Sequence, residues 1–124
     1  MKRVLCMMAF MMAVCFAQAQ SDKYAYCIMQ CYGKVFSTKY IVTLDFGELA
    51  SKRKQIYEGG KKKQFNGNGE SLNYMGRRGW ELVDTYTDRD YKQQLILNFV
   101  FKKKINSEDE VLQGLELKDS EEKD

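Results

Sequence analysis

Two stretches of this chain alternate with a period of two, and that rhythm limits the fold more than any other feature. In Tyr40 to Phe46, the residues Tyr40, Val42, Leu44 and Phe46 alternate with Ile41, Thr43 and Asp45. In Leu95 to Phe101, the residues Leu95, Leu97, Phe99 and Phe101 share one side. Successive strand side chains point to opposite faces, so each stretch reads as a strand that buries one face. Tyr24 to Tyr32 and Trp80 to Tyr86, rich in aromatic and apolar residues, read the same way. Gly33 closes the first strand, and Ser37-Thr38 lies in the connection to the second. Asp88-Arg89-Asp90 turns the chain between the last two, which pair as an antiparallel hairpin.

One helix is expected between these pairs, over residues 68–78. Asn66 or Asn68 caps its start, Glu70 suits its positive end, and Arg77 and Arg78 suit its negative end. Leu72 and Met75 face the same way, and Gly79 supplies a left-handed stop. The order ββαββ then predicts an α+β domain over residues 20–106. It is a single four-stranded antiparallel sheet with one covering helix, each layer hiding the other's apolar side. The stretch from Gly47 to Asn66, with Lys52-Arg53-Lys54 and Lys61-Lys62-Lys63, reads as a polar loop. It has room for a small extra hairpin centred on Gly59-Gly60, with Ile56 and Phe65 dipping toward the core.

The two ends read differently from the body. Lys2 and Arg3 precede an uncharged run from Val4 to Ala17, and Ala17-Gln18-Ala19 offers small residues where a signal peptidase cuts. This is the layout of a cleavable signal peptide over residues 1–19. The run is short against the roughly 20 residues that a membrane-spanning helix needs. The expectation is an exported protein, periplasmic or secreted, with no transmembrane span after cleavage. From Ser107 onward eight acidic residues face two lysines, so residues 107–124 read as a solvated acidic tail or a short helix that Ser107 and Glu110 would cap.

Composition removes whole chemistries. The chain has no His, which excludes Ser-His-Asp and Cys-His catalysis and any zinc site that needs imidazole. Cys27 and Cys31 remain after cleavage. Four residues of strand separate them by about 13 Å, too far for a disulfide, so they read as small buried hydrophobes beside Ala25 and Met29. Asp84, Asp88 and Asp90 cluster near a turn, where aspartate serves the backbone. The lysine clusters read as solubilising charge, without a nucleic acid partner.

The segment Leu72-Asn73-Tyr74-Met75-Gly76-Arg77-Arg78-Gly79-Trp80-Glu81-Leu82-Val83, followed by a strand ending Phe101-Lys102-Lys103, resembles domain of unknown function 4177. These are small bacterial proteins with a helix, a Gly-Trp-Glu-Leu-Val motif and a terminal hairpin. Leu44-Asp45-Phe46-Gly47 matches their exported relatives as well. The resemblance implies the same helix-and-sheet core, and it brings no activity, cofactor or catalytic residue. Physically, Gly76 is expected to let the helix approach the sheet, and Gly79 to reverse the chain. Trp80 is expected to cover Leu72 and Met75, Glu81 to face water, and Leu82 or Val83 to face the next layer.

These readings converge on a non-catalytic binding or interaction module without cofactor or metal. Tyr24, Tyr26 and Tyr32 form its candidate ligand face, for an envelope protein or a glycan. The competing expectations are a small carboxylate-dependent enzyme and a subunit of an envelope assembly that associates through a sheet edge.

Overall fold

The computed structural model describes residues 22–33 and 39–120. The segment expected to be a signal peptide, residues 1–19, lies outside that range, as do Ser37-Thr38 and the last four residues. The strands are β1 (Lys23–Gly33), β2 (Tyr40–Asp45), β3 (Lys54–Glu58), β4 (Lys61–Lys62), β5 (Glu81–Arg89), β6 (Leu95–Ile105) and β7 (Glu116–Asp119). Among the described residues one α-helix, α1 (Asn68–Gly76), precedes β5, and short 3-10 turns cover Gly47–Leu49 and Glu108–Glu110. The sheet runs β4-β3-β2-β1-β6-β5, with β7 also paired to β3. Every pairing is antiparallel.

The four-stranded ββαββ sheet expected from the sequence is therefore corrected to a seven-stranded one, because two charged segments supply strands. Gly59 and Gly60, at φ +60° and +78°, make the tight turn between β3 and β4, a turn that demands positive φ at both central residues. The acidic segment folds back as β7, pairing Ile56 with Leu117 and Lys54 with Asp119. Lys54 and Asp119 form an ion pair, and the Glu116 carboxylate accepts the N–H groups of Gly59 at 3.1 Å and Gly60 at 3.0 Å. Taken separately, the basic stretch and the acidic tail each look solvated. Their charges are opposite, and in the fold they neutralise each other.

The core lies on one side of the sheet. Ala25, Cys27, Met29 and Cys31 of β1, Val42 and Leu44 of β2, Ile56 of β3 and Phe99 and Phe101 of β6 point into it. Tyr74 and Met75 of α1 close over them with Phe46, Phe65, Trp80 and Val111. Burying each large apolar side chain stabilises the fold by about 1.5–3 kcal/mol relative to exposure. Arg78 ties the C-terminal segment to this layer. Its guanidinium lies 3.4 Å from the Tyr74 ring, and its Nε donates to the Gly114 carbonyl at 2.7 Å.

The helix motif behaves as expected in part. Gly79 adopts φ +88°, and the Trp80 N–H reaches back to the Met75 carbonyl at 3.2 Å. Met75 is buried, Leu72 half-buried, and the indole, 3% exposed, lies 5.9 Å from the Phe46 ring. No asparagine side chain caps the start; Gly67 stands there, and Glu70 instead accepts the Asn66 N–H at 3.0 Å. Gly76 faces solvent with nothing within 4 Å of where a Cβ would lie, so it serves no close approach. Leu82 and Val83 are exposed rather than facing a second layer. They belong to the outermost strand, beyond the reach of a nine-residue helix, and the register with β6 shifts between Leu82 and Asp84.

Candidate functional site

The side of the sheet opposite α1 carries the candidate site. Antiparallel partners point to the same face, so the register assembles it row by row. Gln55 pairs with Thr43, Thr43 with Gln30, Gln30 with Asn98, and Asn98 with Tyr86. One row of hydrogen-bonding side chains thus crosses five strands at right angles. On one side of it lie Ile28 and Val100, flanked by Asp45 and Asp84; on the other lie Ile41, Tyr32, Ile96 and Asp88. Beyond Ile28 and Val100 come Tyr26, Lys102 and Glu81, then Tyr24 and Lys104.

Tyr24, Tyr26 and Tyr32, the aromatic residues singled out in the sequence, do share this face, and all three are exposed. Tyr86 joins them. At the centre of the row, Asn98 is 0% exposed, and among the described residues neither its amide nitrogen nor its amide oxygen has a hydrogen-bond partner. Its neighbour Gln30 is engaged elsewhere, accepting from the Tyr32 hydroxyl at 3.1 Å. An amide without partners loses both its water contacts and their replacement, a cost of about 1–3 kcal/mol.

The charged groups of the face are occupied. Lys102 lies 4.0 Å from Glu81 and 5.1 Å from the Tyr24 ring, Lys104 pairs with Asp22 at 3.0 Å, and Arg53 lies 3.8 Å from Asp45. Asp84 accepts the Thr85 N–H at 2.8 Å, and Asp88 accepts the Arg89 N–H at 2.7 Å. Asp90 accepts from the N–H groups of Lys92 and Gln94, both at 2.8 Å. All three aspartates of the expected cluster therefore hold backbone donors. On the outermost strand β5 the first two also occupy N–H groups that an incoming strand would need, a common protection of sheet edges.

Other features are structural. Burial pushes the Cys31 thiol up to about 12 and raises that of Cys27 further; both are free cysteines of the core face. The carboxyls of Glu58 and Asp119 are held below their usual range by hydrogen bonds to Lys63 and Lys54, and that of Asp109 by the Ser107 hydroxyl. A polar cleft of about 570 Å³ lies between Asp45, Gly47, Ala50, Ser51, Lys52, Arg53 and Ser120. Its cations flank a single carboxylate that Arg53 and the Gly47 N–H already engage. Among the described residues, no group of three or more Cys, Asp or Glu is placed to hold a metal ion. No helix there is long and apolar enough to cross a membrane.

Sequence reasoning passed over Gln30, Thr43, Tyr86 and Asn98. The signal for Asn98 was present: it is the lone amide in the otherwise apolar run Leu95 to Phe101. No family model, no curated protein and no solved structure matches this chain.

Proposed function

We propose that this chain is a non-catalytic binding module, exported by its leader, that receives a partner on the open face of its sheet. The observation that carries the reading is the set of four exposed tyrosines, Tyr24, Tyr26, Tyr32 and Tyr86, on one face of the sheet. Exposed aromatic rings with a polar tip are enriched where proteins meet partners, because one side chain offers apolar area and a hydrogen-bonding group together. The resemblance of Leu72 to Val83 to domain of unknown function 4177 belongs to the same reading. It assigns the helix, Gly79 and Trp80 to the scaffold that holds the face in shape.

Hydroxyl-radical footprinting in concentrated envelope extract tests this reading, because it reports a covered surface whatever molecule covers it. Tyr24, Tyr26, Tyr32 and Tyr86 are expected to lose labelling relative to the protein alone. Tyr91, 83% exposed in the loop after β5, is the internal control and stays unchanged. Equal labelling of the four face tyrosines with and without extract would sink the proposal.

A further inference from the structure

We propose that the outer edge of β3 is a docking site for an extended acidic peptide strand, and that residues 116–120 of the same chain fill it in the partner's absence. The site is separate from the open face and does not depend on it. The inference follows from how unevenly the C-terminal segment is held. Its first part is anchored: Val111 is buried in the core, the Lys103 ammonium donates to the Glu110 carbonyl at 3.1 Å, and the Arg78 Nε donates to the Gly114 carbonyl at 2.7 Å. Gly114 then turns the chain at φ +75°. Beyond it, among the described residues, β7 pairs with β3 only; Leu117 is half-buried and the other residues of the strand are exposed.

What holds β7 is chemistry that a strand from another protein can supply as well. Glu116 places one carboxylate oxygen on the Gly59 N–H at 3.1 Å and the other on the Gly60 N–H at 3.0 Å. Successive backbone N–H groups in a turn form a concavity that holds an anion. Three residues on, about 10 Å along a strand, Asp119 pairs with Lys54, whose side chain is mostly covered. Between the two carboxylates Leu117 lies opposite the buried Ile56. Past the strand, the Ser120 N–H donates to the Arg53 carbonyl at 2.8 Å. In strand addition the edge backbone supplies affinity and the alternating side-chain positions supply specificity. The edge of β3 thus specifies its ligand: carboxylate, apolar residue, any residue, carboxylate, running antiparallel to Lys54–Glu58.

Other occupants satisfy less of this edge. A free anion fills the glycine turn and leaves Lys54, Ile56 and the β3 backbone uncovered. A basic strand sets its cations against Lys54, and like charges juxtaposed at an interface disfavour association. The resident strand is also the part of the segment that leaves most readily. Elements held by exposed contacts open at lower cost than those held by a core, so β7 yields the edge before Val111 leaves its place.

The test uses the isotope-labelled full chain carrying Glu116→Ala and Asp119→Ala, two exposed positions whose loss frees the edge. The probe is a capped synthetic peptide of residues 113–120, and backbone amides are followed by NMR. Saturable shifts confined to residues 53–60 and the displaced residues 116–120 are the expected result. The parent chain is expected to bind the peptide more weakly by about tenfold or more, since its own strand holds the site in nearly every molecule. A peptide carrying Glu116→Gln and Asp119→Asn is expected to lose about tenfold or more as well, because its charge-assisted bonds are gone. The single variants carry the same comparison if the double variant does not fold. Absence of shifts, shifts elsewhere, equal affinity of parent and variant chains, equal affinity of the amide peptide, or the same shifts with inorganic phosphate alone would overturn the inference.

Discussion

On one face of the sheet, α1, Phe65, Trp80 and Val111 lie over Cys27, Met29, Leu44 and Phe101. On the other, Ile28, Val100 and the tyrosines have no element over them among the described residues. Each face also buries one side chain with unpartnered polar atoms: the indole nitrogen of Trp80 on the covered face, the Asn98 amide on the open one. The two are not equivalent. An indole brings a large apolar body, and its packing outweighs one lost N–H bond. Asparagine brings little carbon, so burying it gains little and forfeits a donor and an acceptor. Packing accounts for the tryptophan; it does not account for the asparagine.

The largest expected effect separates the faces most directly. Trp80→Ala should destabilise the protein by about 3–5 kcal/mol in urea unfolding, because it empties the centre of the covered layer. Near-parental stability would mean that the indole does not hold the layer. Removing residues 107–124 should cost on the order of 3 kcal/mol, since Val111 leaves the core and Leu117 leaves Ile56. That truncation should also bring concentration-dependent association, seen by light scattering, because the β3 edge opens. A truncated chain as stable and monomeric as the parent would return the tail to solvent.

On the open face the sign reverses. Asn98→Leu should raise stability by about 1 kcal/mol, as an unpartnered amide gives way to an apolar side chain of similar size. A loss would show that the amide is satisfied in solution. Gly76→Ala, in a helical position facing water, should add about 0.5–1 kcal/mol through backbone entropy. Destabilisation there would restore a packing role to the glycine.

The smallest effect is with pH. Glu58 and Asp119 have carboxyls held below their ordinary range by Lys63 and Lys54. A depressed folded-state pKa contributes stability above the unfolded value and loses it as pH falls through the folded one. The β3–β4–β7 corner should therefore loosen first on acidification, read as faster amide exchange at residues 55–58 than at residues 97–101. Uniform exchange across both segments would remove the electrostatic account of that corner.

The parts of the fold legible in the sequence are those whose cause is local. The alternation in Tyr40 to Phe46 and Leu95 to Phe101 locates β2 and β6, and Gly79 marks the end of the helix because left-handed backbone favours glycine. The β3–β4 hairpin was legible in Gly59-Gly60, whereas β7 was hidden because its cause is distant: Asp119 needs Lys54, and Glu116 needs Gly59 and Gly60, more than fifty positions away. The candidate face was half legible. Its tyrosines stand out in β1, whereas the row through Thr43, Gln30, Asn98 and Tyr86 exists only once the register of four strands is known. Leu82 and Val83 misled for a similar reason: an apolar pair on an outermost strand looks like a core pair until the strand order is known.

Trp80 is the only tryptophan of the chain, and it is enclosed beside Phe46 on the side that faces away from the tyrosine-rich surface. Its emission will therefore report faithfully when the protein melts and stay dark to whatever settles on the far side. A fluorescence titration that returns a flat line says nothing about occupancy in a molecule wired this way. Probes seated among the tyrosines are the ones that would register a guest on the proposed binding face.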